Sequence, residues 1–513
     1  MKINLSVPPL STDPVEFVQI NPGTLASDLA TLPRDDFLYT GHRILNDLEK
    51  FNKASVDDEL RLKLLDLYRV SILNLAKGLR KSIGKSNLPV NKKLLTKLNI
   101  TLDLHQQLAN GYKRILLNQD VTDESKDLSE NISIVSAERT MFSLLETITL
   151  SYLSYTPIRE NVWKEMHTIF NLAHKKGFSG VKVNDLADSS KRIKIIDIYL
   201  FALLLGLSEP YGLPNGSLHT LIPYFHIWIS YLTLFDKNNL EGLLYTYRID
   251  PDLDKPFLPF PEAQPEGEIY VTTDALIHEM LSPNPPLNPA NAGNADDTDA
   301  TYKLFKRSFF PKLITSWTNY PIRRYQRNSA SGEIELLTGY KDAICMLKQG
   351  KEKVTLEDKR KFQPWKVVND SATGLGVKYH GHEVKSVSVG GLVLYRTEEM
   401  KAENVWVTGI IRRFNQVGRS SLSMGLQRLP PDTHTGKLIQ DNGDYKDSKL
   451  ILMYPENSLL NSESFIIAPP GTFNPGTKFR VSLDNGREFR IRAIKTIQIS
   501  PVLEQFSFEQ LPD

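Results

Sequence analysis

The chain is nearly without cysteine: Cys345 is the one thiol in 513 residues. A lone thiol cannot close an intrachain disulfide, so a disulfide framework is excluded and nothing points to an oxidising compartment. Its neighbours Ala343, Ile344, Met346 and Leu347 are apolar, so Cys345 reads as a small core residue. Long apolar runs are also missing. The most apolar stretch, Ile195 to Leu207, carries Asp197 and follows Lys191, Arg192 and Lys194. It falls short of the ~20 residues that cross a bilayer, so it reads as a buried helix and no membrane span is expected. The N-terminus lacks the apolar segment of a signal peptide. A cytoplasmic protein is expected. Neither charge sign dominates: 62 Lys and Arg against 60 Asp and Glu leave a net +2. That balance argues against a chain-wide nucleic-acid binder.

Catalytic signatures are absent as well. There is no phosphate-cradling glycine loop with a lysine, no nucleophile elbow and no zinc-protease motif. His380-Gly381-His382 places two imidazoles on one face of a strand, but no third ligand accompanies them, so no metal site is expected. The chain does not read as an enzyme, and no cofactor is implied.

What is present divides the chain into four parts. Residues 1–250 read as an all-α half. Val56 to Lys81 carries apolar residues at helical spacing (Leu60, Leu64, Leu67 and Val70 among them), with a capping-box-like start at Ser55-Val56-Asp57-Asp58. Asn91–Asn118, Ile134–Ser154, Glu160–His174, Ser190–Ser208 and Leu218–Phe235 continue the pattern, for roughly five to seven helices in a bundle or short solenoid. Residues 251–319 are rich in Pro, Asn and Asp and read as a linker region, with a strand near Glu268 to Val271 and a helical turn at Asp274 to Leu281. From residue 320 the period shifts toward two. Six short strands fall between 320 and 430, which suits a barrel. Five more fall between 431 and 513, a smaller β unit with an Asp484-Asn485-Gly486 hairpin signal. The fold class is multidomain, all-α and then all-β.

Lys303 to Arg327 holds seven cations and no acid, with Trp317, Tyr320 and Tyr325 interleaved. Guanidinium and aromatic planes together suit a stacked base and its phosphate. Two spaced patterns follow. Arg323-Arg324-Tyr325-Gln326-Arg327 reads RxxxR, and Asn369-Asp370-Ser371-Ala372-Thr373-Gly374 reads [D/N]xSxxG. In that order, ahead of a barrel whose closing strands run Val405 to Arg413 and Ser423 to Gln427, they resemble the two signatures of the PilZ domain, a bacterial receptor for cyclic di-GMP. The long helical region, the barrel and the further β unit together resemble the layout of the large FimW-type bacterial proteins.

The resemblance implies a ligand site made by Arg323, Arg324, Arg327, Asn369, Ser371 and Gly374. An arginine fork can bond a phosphate or the O6/N7 edge of guanine bidentately and can stack on the base. Asn369 offers donors and an acceptor, Ser371 a hydroxyl, and Gly374 a position open to positive φ and close approach. The spacing between the two patterns is longer than is usual in the family, and Tyr340 to Phe362 fills it. Arg360, nearer the second pattern, is the alternative arginine. The resemblance further implies a cyclic di-GMP receptor that passes binding to an unidentified protein partner through the helical half, in motility or surface attachment. Two other readings stand beside it. One is a protein-interaction scaffold with a degenerate barrel. The other is a single-strand nucleic-acid binder, against which the balanced charge argues.

Overall fold

The computed structural model describes residues 4–512 apart from 12–18, 119–127, 186–191, 237–241, 260–268, 283–308, 319–325, 350–361, 382–385, 404, 418–419, 442–446 and 458–462. Within them the first half of the chain forms α1 (Pro22–Thr31), α2 (Phe37–Phe51), α3 (Asp58–Gly84), α4 (Lys92–Asn118), α5 (Ile132–Leu153), α6 (Val162–Lys175), α7 (Ile195–Leu207) and α8 (Ser217–Trp228). The helical spacing sets α3 and α4 within two or three residues of expectation. The cap of α3 differs. Asp57, not Ser55, accepts the backbone N–H groups of Glu59 (3.1 Å) and Leu60 (3.2 Å), satisfying donors that the first turn leaves open.

Helix α5 is buried along almost its whole length, as the central column of a bundle must be. Helix α7 is equally enclosed. Ile195–Gly212 is the one stretch among the described residues long and apolar enough to cross a membrane, and most of it is packed inside the protein.

The first half is not purely helical. A hairpin pairs β1 (Lys182–Asn184) with β2 (Arg192–Lys194). A four-stranded sheet joins β3 (Thr233–Asp236), β4 (Thr246–Ile249), β5 (Leu258–Pro259) and β6 (Ile269–Thr272) in the order β3-β6-β4-β5. The stretch expected as linker therefore holds ordered elements, with α9 (Asp274–Met280) and α10 (Phe310–Thr318) after the sheet. Apolar anchoring is the reason. Trp317 is fully buried, its ring lies 5.4 Å from that of Trp228, and its indole N–H donates to Ser208 Oγ at 3.2 Å.

The second half contains two closed barrels. Strand β7 (Asn328–Ser329) comes first, outside the ring. Then β8 (Glu333–Thr338), β9 (Gln363–Ser371), β10 (Gly374–His380), β11 (Leu392–Thr397), β12 (Val407–Val417) and β13 (Ser421–Arg428) run in the order β10-β13-β12-β11-β8-β9, closed by the β9–β10 pair. The C-terminal β unit is a full six-stranded barrel of its own: β14 (His434–Gln440), β15 (Lys449–Tyr454), β16 (Phe465–Ala468), β17 (Lys478–Leu483), β18 (Glu488–Ile499) and β19 (Glu504–Gln510). Closure leaves neither sheet an open edge in its ring. Gly486, at φ 86°, makes the tight turn from β17 to β18.

Helix α11 (Tyr340–Gln349) wedges between the barrels. Its Ala343, Ile344 and Met346 share a core with Leu394, Leu452 and Phe465. Cys345 faces the other way and is exposed, which corrects its assignment to the core. One helical step of about 100° turns it off the apolar face. The Tyr340 to Phe362 insertion thus begins as a spacer between barrels, and residues 350–361 lie outside the described residues.

The helical half and the first barrel share one continuous apolar core. Tyr155, Trp228 and Trp317 belong to the same cluster as Trp365, Leu375 and Phe414. Polar contacts fix the joint. Gln416 of β12 accepts the Val90 N–H (2.9 Å), donates to the Val90 carbonyl (3.2 Å) and sends its own N–H to the Tyr155 carbonyl (2.7 Å).

Candidate functional site: the outer face of the first barrel

The second signature is a two-residue hairpin. Register pairs Ser371 with Gly374, Asp370 with Leu375 and Asn369 with Gly376, leaving Ala372 and Thr373 at the tip. The Ser371 hydroxyl donates to the Gly374 carbonyl at 3.1 Å and so closes the turn. Arg428, at the end of β13, holds the hairpin from the other side. It donates to the Ser371 carbonyl (2.9 Å) and the Tyr395 hydroxyl (2.9 Å) and pairs with Asp370 at 2.8 Å.

Gly374 does not adopt positive φ, contrary to expectation; it continues as strand. Close approach is what requires glycine here, because a Cβ would stand 2.7 Å from the Leu426 carbonyl oxygen. Gly376 is just as constrained. A Cβ there would meet the Asn369 carboxamide at 2.6–2.9 Å, so that carboxamide lies flat over the glycine.

Two β-bulges decide which residues face outward. On β9 the register jumps from Asn369↔Gly376 to Val367↔Val377, so Val368 is extra. Without that bulge Asn369 would continue the inward series of Trp365 and Val367. On β12 the register jumps from Ile411↔Leu426 to Arg413↔Gly425, so Arg412 is extra. Ile411 and Phe414 then point in while both arginines stay outside.

The result is a row across four strands, Asn369–Gly376–Gly425–Arg413, with Lys378–Ser423–Asn415 running beside it. Two glycines form a flat floor, with a carboxamide at one end and a guanidinium at the other.

Over this floor lies a cavity of about 270 Å³ walled by Arg327, Asn369, Lys378, Arg413, Asn415 and, from the helical half, Tyr211. That is near the lower end of small-molecule sites, about 300–1,000 Å³. Among the described residues no acidic side chain lines it. The Oδ1 atoms of Asn369 and Asn415 are shut off from solvent without a hydrogen-bond partner among the described residues. Each such atom costs about 1–3 kcal/mol until a donor reaches it. Burial holds the Tyr211 hydroxyl above its usual range, against the opposing pull of the Arg413 charge. That hydroxyl donates to the Thr156 carbonyl at 2.6 Å, which ties the cavity wall to the end of α5.

Of the residues expected at the site, Arg327 and Asn369 share this cavity, while Ser371 and Gly374 shape the hairpin beside it. Arg327 arrives by way of β7, where Asn328 pairs with Asp370 and Ser329 with Asn369. Strand β7 thereby brings the first pattern back along the second despite the long interval. Arg323 and Arg324, and the alternative Arg360, lie outside the described residues. Lys378, Arg413, Asn415 and Tyr211 were not anticipated. One sign was available: consecutive arginines in an otherwise apolar strand would put one of them into the core unless a bulge intervened. Among the described residues no group of three His, Cys, Asp or Glu could hold a metal, and His382 lies outside them.

Residues 24–238 match the family model of the cyclic-di-GMP receptor FimW N-terminal domain, and residues 435–511 match that of the FimW C-terminal beta-barrel domain. The first barrel lies between the two. The curated protein "Cyclic-di-GMP receptor FimW" of Pseudomonas aeruginosa is 25% identical over 346 residues, 66% of this chain. The match spans about half of that relative, 55% of its length. Two domain models of one family follow each other in order over more than half of the residues, and with the relative of the same name they show that this chain belongs to the FimW family.

Proposed function

We propose that the outer face of the first barrel is a PilZ-type site for cyclic di-GMP and that the chain is a cytoplasmic receptor without catalytic activity. The observation that carries this reading is the cavity wall itself. Lys378 and Arg413 stand with Arg327 over a glycine floor, beside two carboxamide oxygens that lack hydrogen-bond partners among the described residues. A cyclic dinucleotide brings what such a wall lacks. Its phosphates answer the guanidinium forks, and its guanine edges supply donors and acceptors to Asn369 and Asn415. The two glycines let a base lie close to the backbone. The curated relative is named as a cyclic-di-GMP receptor, which favours the same ligand. Arg323 and Arg324, on the segment leading into Arg327, complete the proposed ligand set, with Ser371 and Gly374 setting the hairpin.

The output runs through Tyr211 into the helical half, whose surface would meet a protein partner in motility or surface attachment. Because that half and the barrel share one core, the signal passes as a shift at a packed joint and not as a free swing. Thermal unfolding of the full chain with cyclic di-GMP tests the reading. The ligand raises the midpoint, and Arg327→Ala reduces the rise. A midpoint that the ligand leaves unmoved at high micromolar concentration, in folded protein, refutes it and favours the scaffold.

A further inference from the structure

A second and larger cavity, about 820 Å³, opens where the helical half, the first barrel and the second barrel meet. Pro214 and α10 form one side, Val389, Gly390 and β12 another, and Phe473 with residues 496–500 the third. Two cations reach into it, Lys312 from α10 and Arg412 from the β12 bulge. Both are half-buried by surface area, and each lines the cavity. Arg412 is held by two carboxamides, donating to Gln427 Oε1 at 2.5 Å and to Gln498 Oε1 of the second barrel at 2.6 Å. The Lys312 ammonium donates to the Gly212 carbonyl. Both arrangements orient a cation without neutralising it.

Burial, followed by repulsion from Arg412, pulls Lys312 down to about 8, opposed by Glu209. Burial alone pulls Arg412 down to about 10. Among the described residues no acidic side chain lines the cavity. Two like charges side by side in a half-buried cavity are unfavourable, Glu209 only partly offsets the Lys312 charge, and an anion entering the cavity relieves both cations. Much of the remaining wall is apolar (Pro214, Val389, Ile411, Phe473, Ile497), with Thr315, Asn474, Thr496 and Ser500 among it, which suits a ring or chain more than a bare ion. The wall is also built closely. Gly390, at φ 83°, lets its loop approach Ser500 so tightly that a Cβ would stand 2.9 Å from the Ser500 Cβ.

We propose that this three-way junction is a second anion site, for a small organic phosphate whose phosphate meets Lys312 and Arg412 and whose apolar body lies against Phe473 and Ile497. It is distinct from the outer-face cavity, although Arg412 and Arg413 are neighbours on one bulge. The turn at Pro210–Gly212 stands between the two, with Tyr211 in one wall and the Gly212 carbonyl bound by Lys312 in the other.

Phosphorus NMR and calorimetry of the full chain with phenyl phosphate test this. The folded protein binds phenyl phosphate saturably and inorganic phosphate more weakly. Lys312→Met lowers the phenyl phosphate affinity about tenfold, the loss of one charge-assisted contact. Ile497→Trp fills the cavity from a position that is 46% exposed and abolishes binding while leaving both cations in place. Arg413→Gln leaves binding unchanged. Absence of saturable binding by the wild type overturns the proposal. So does full binding by Ile497→Trp, loss of binding in Arg413→Gln, or equal affinity for the inorganic ion.

Discussion

The helical half and the first barrel treat charge in opposite ways. The helical half puts it inside. Arg69, Lys113, Glu138 and Arg139 are buried among leucines and tyrosines, paired within the bundle or with its connecting segments. Lys113 meets Glu165 at 2.7 Å, Arg139 pairs with Glu138 and lies 3.4 Å from Asp66, and Arg69 lies 3.6 Å from Asp185. The first barrel fills its interior with Trp365, Leu375, Val377, Phe414 and Met424 and keeps Lys378 and Arg413 on the outside. A cation locked to a partner in a core is committed to the fold, because removing either member strands the other in a low-dielectric interior. A cation on a rigid outer wall is available to something that arrives. Loss of charge should therefore cost stability in one half and affinity in the other.

The largest expected effect lies in the bundle. Lys113→Met leaves the Glu165 carboxylate buried without its cation and should cost about 3–5 kcal/mol in urea unfolding. The double variant Lys113→Met/Glu165→Leu should recover most of that loss. A single variant as stable as the wild type would break the comparison.

The next effect is a pH dependence. Burial, with Arg80 and Arg69 nearby, pulls His105 down from 6.5 to about 3, and burial pulls His167 to about 4. Both folded values lie below the unfolded one. The unfolded state therefore takes up more protons as pH falls, and stability present above about 6.5 is lost on the way toward 3. Urea midpoints at pH 7 and pH 4.5 should show this slope. Both ring nitrogens of His105 lack hydrogen-bond partners among the described residues, so His105→Leu removes its share of the slope without leaving a partner unsatisfied. A slope unchanged in that variant would count against the burial argument.

On the barrel, Gly376→Ala should push the Asn369 carboxamide off the floor, since its new Cβ would stand under 3 Å from that side chain. The expected result is about a tenfold loss of cyclic di-GMP affinity, on the scale of one misplaced polar contact. The unfolding midpoint should move far less than in Lys113→Met. The smallest effect is expected on the second barrel, where Arg492 and Glu509 form an exposed pair at 2.8 Å. Arg492→Gln should change stability by less than about 1 kcal/mol.

The parts legible in the sequence were those built from local repeats. Leucines at helical spacing gave α3 and α4, and alternation gave the strands of both barrels except β14. That strand, with Gly436 and Lys437 at its centre, has little apolar signal and owes its place to pairing with β17 some forty residues later. Helix α2 is not legible in the apolar spacing because Thr40 and Gly41, on its buried face, interrupt the pattern. The candidate site was half legible. A spaced pattern marks Asn369, Ser371 and Gly374, and another marks Arg327. Arg413 and Asn415 reach the same cavity only through strand register and two bulges, which no local window contains. Tyr211 arrives from the other half of the molecule, through packing alone.

Arg413 therefore offers the most direct test of the central claim, that the outer face assembled by register is the ligand site. Calorimetry of cyclic di-GMP with the full chain and with Arg413→Gln decides it. The wild type should bind saturably, and the variant should unfold at the same temperature while binding about tenfold or more weakly, the scale of one bidentate arginine contact. Equal binding by Arg413→Gln, or no binding by the folded wild type, would contradict the claim.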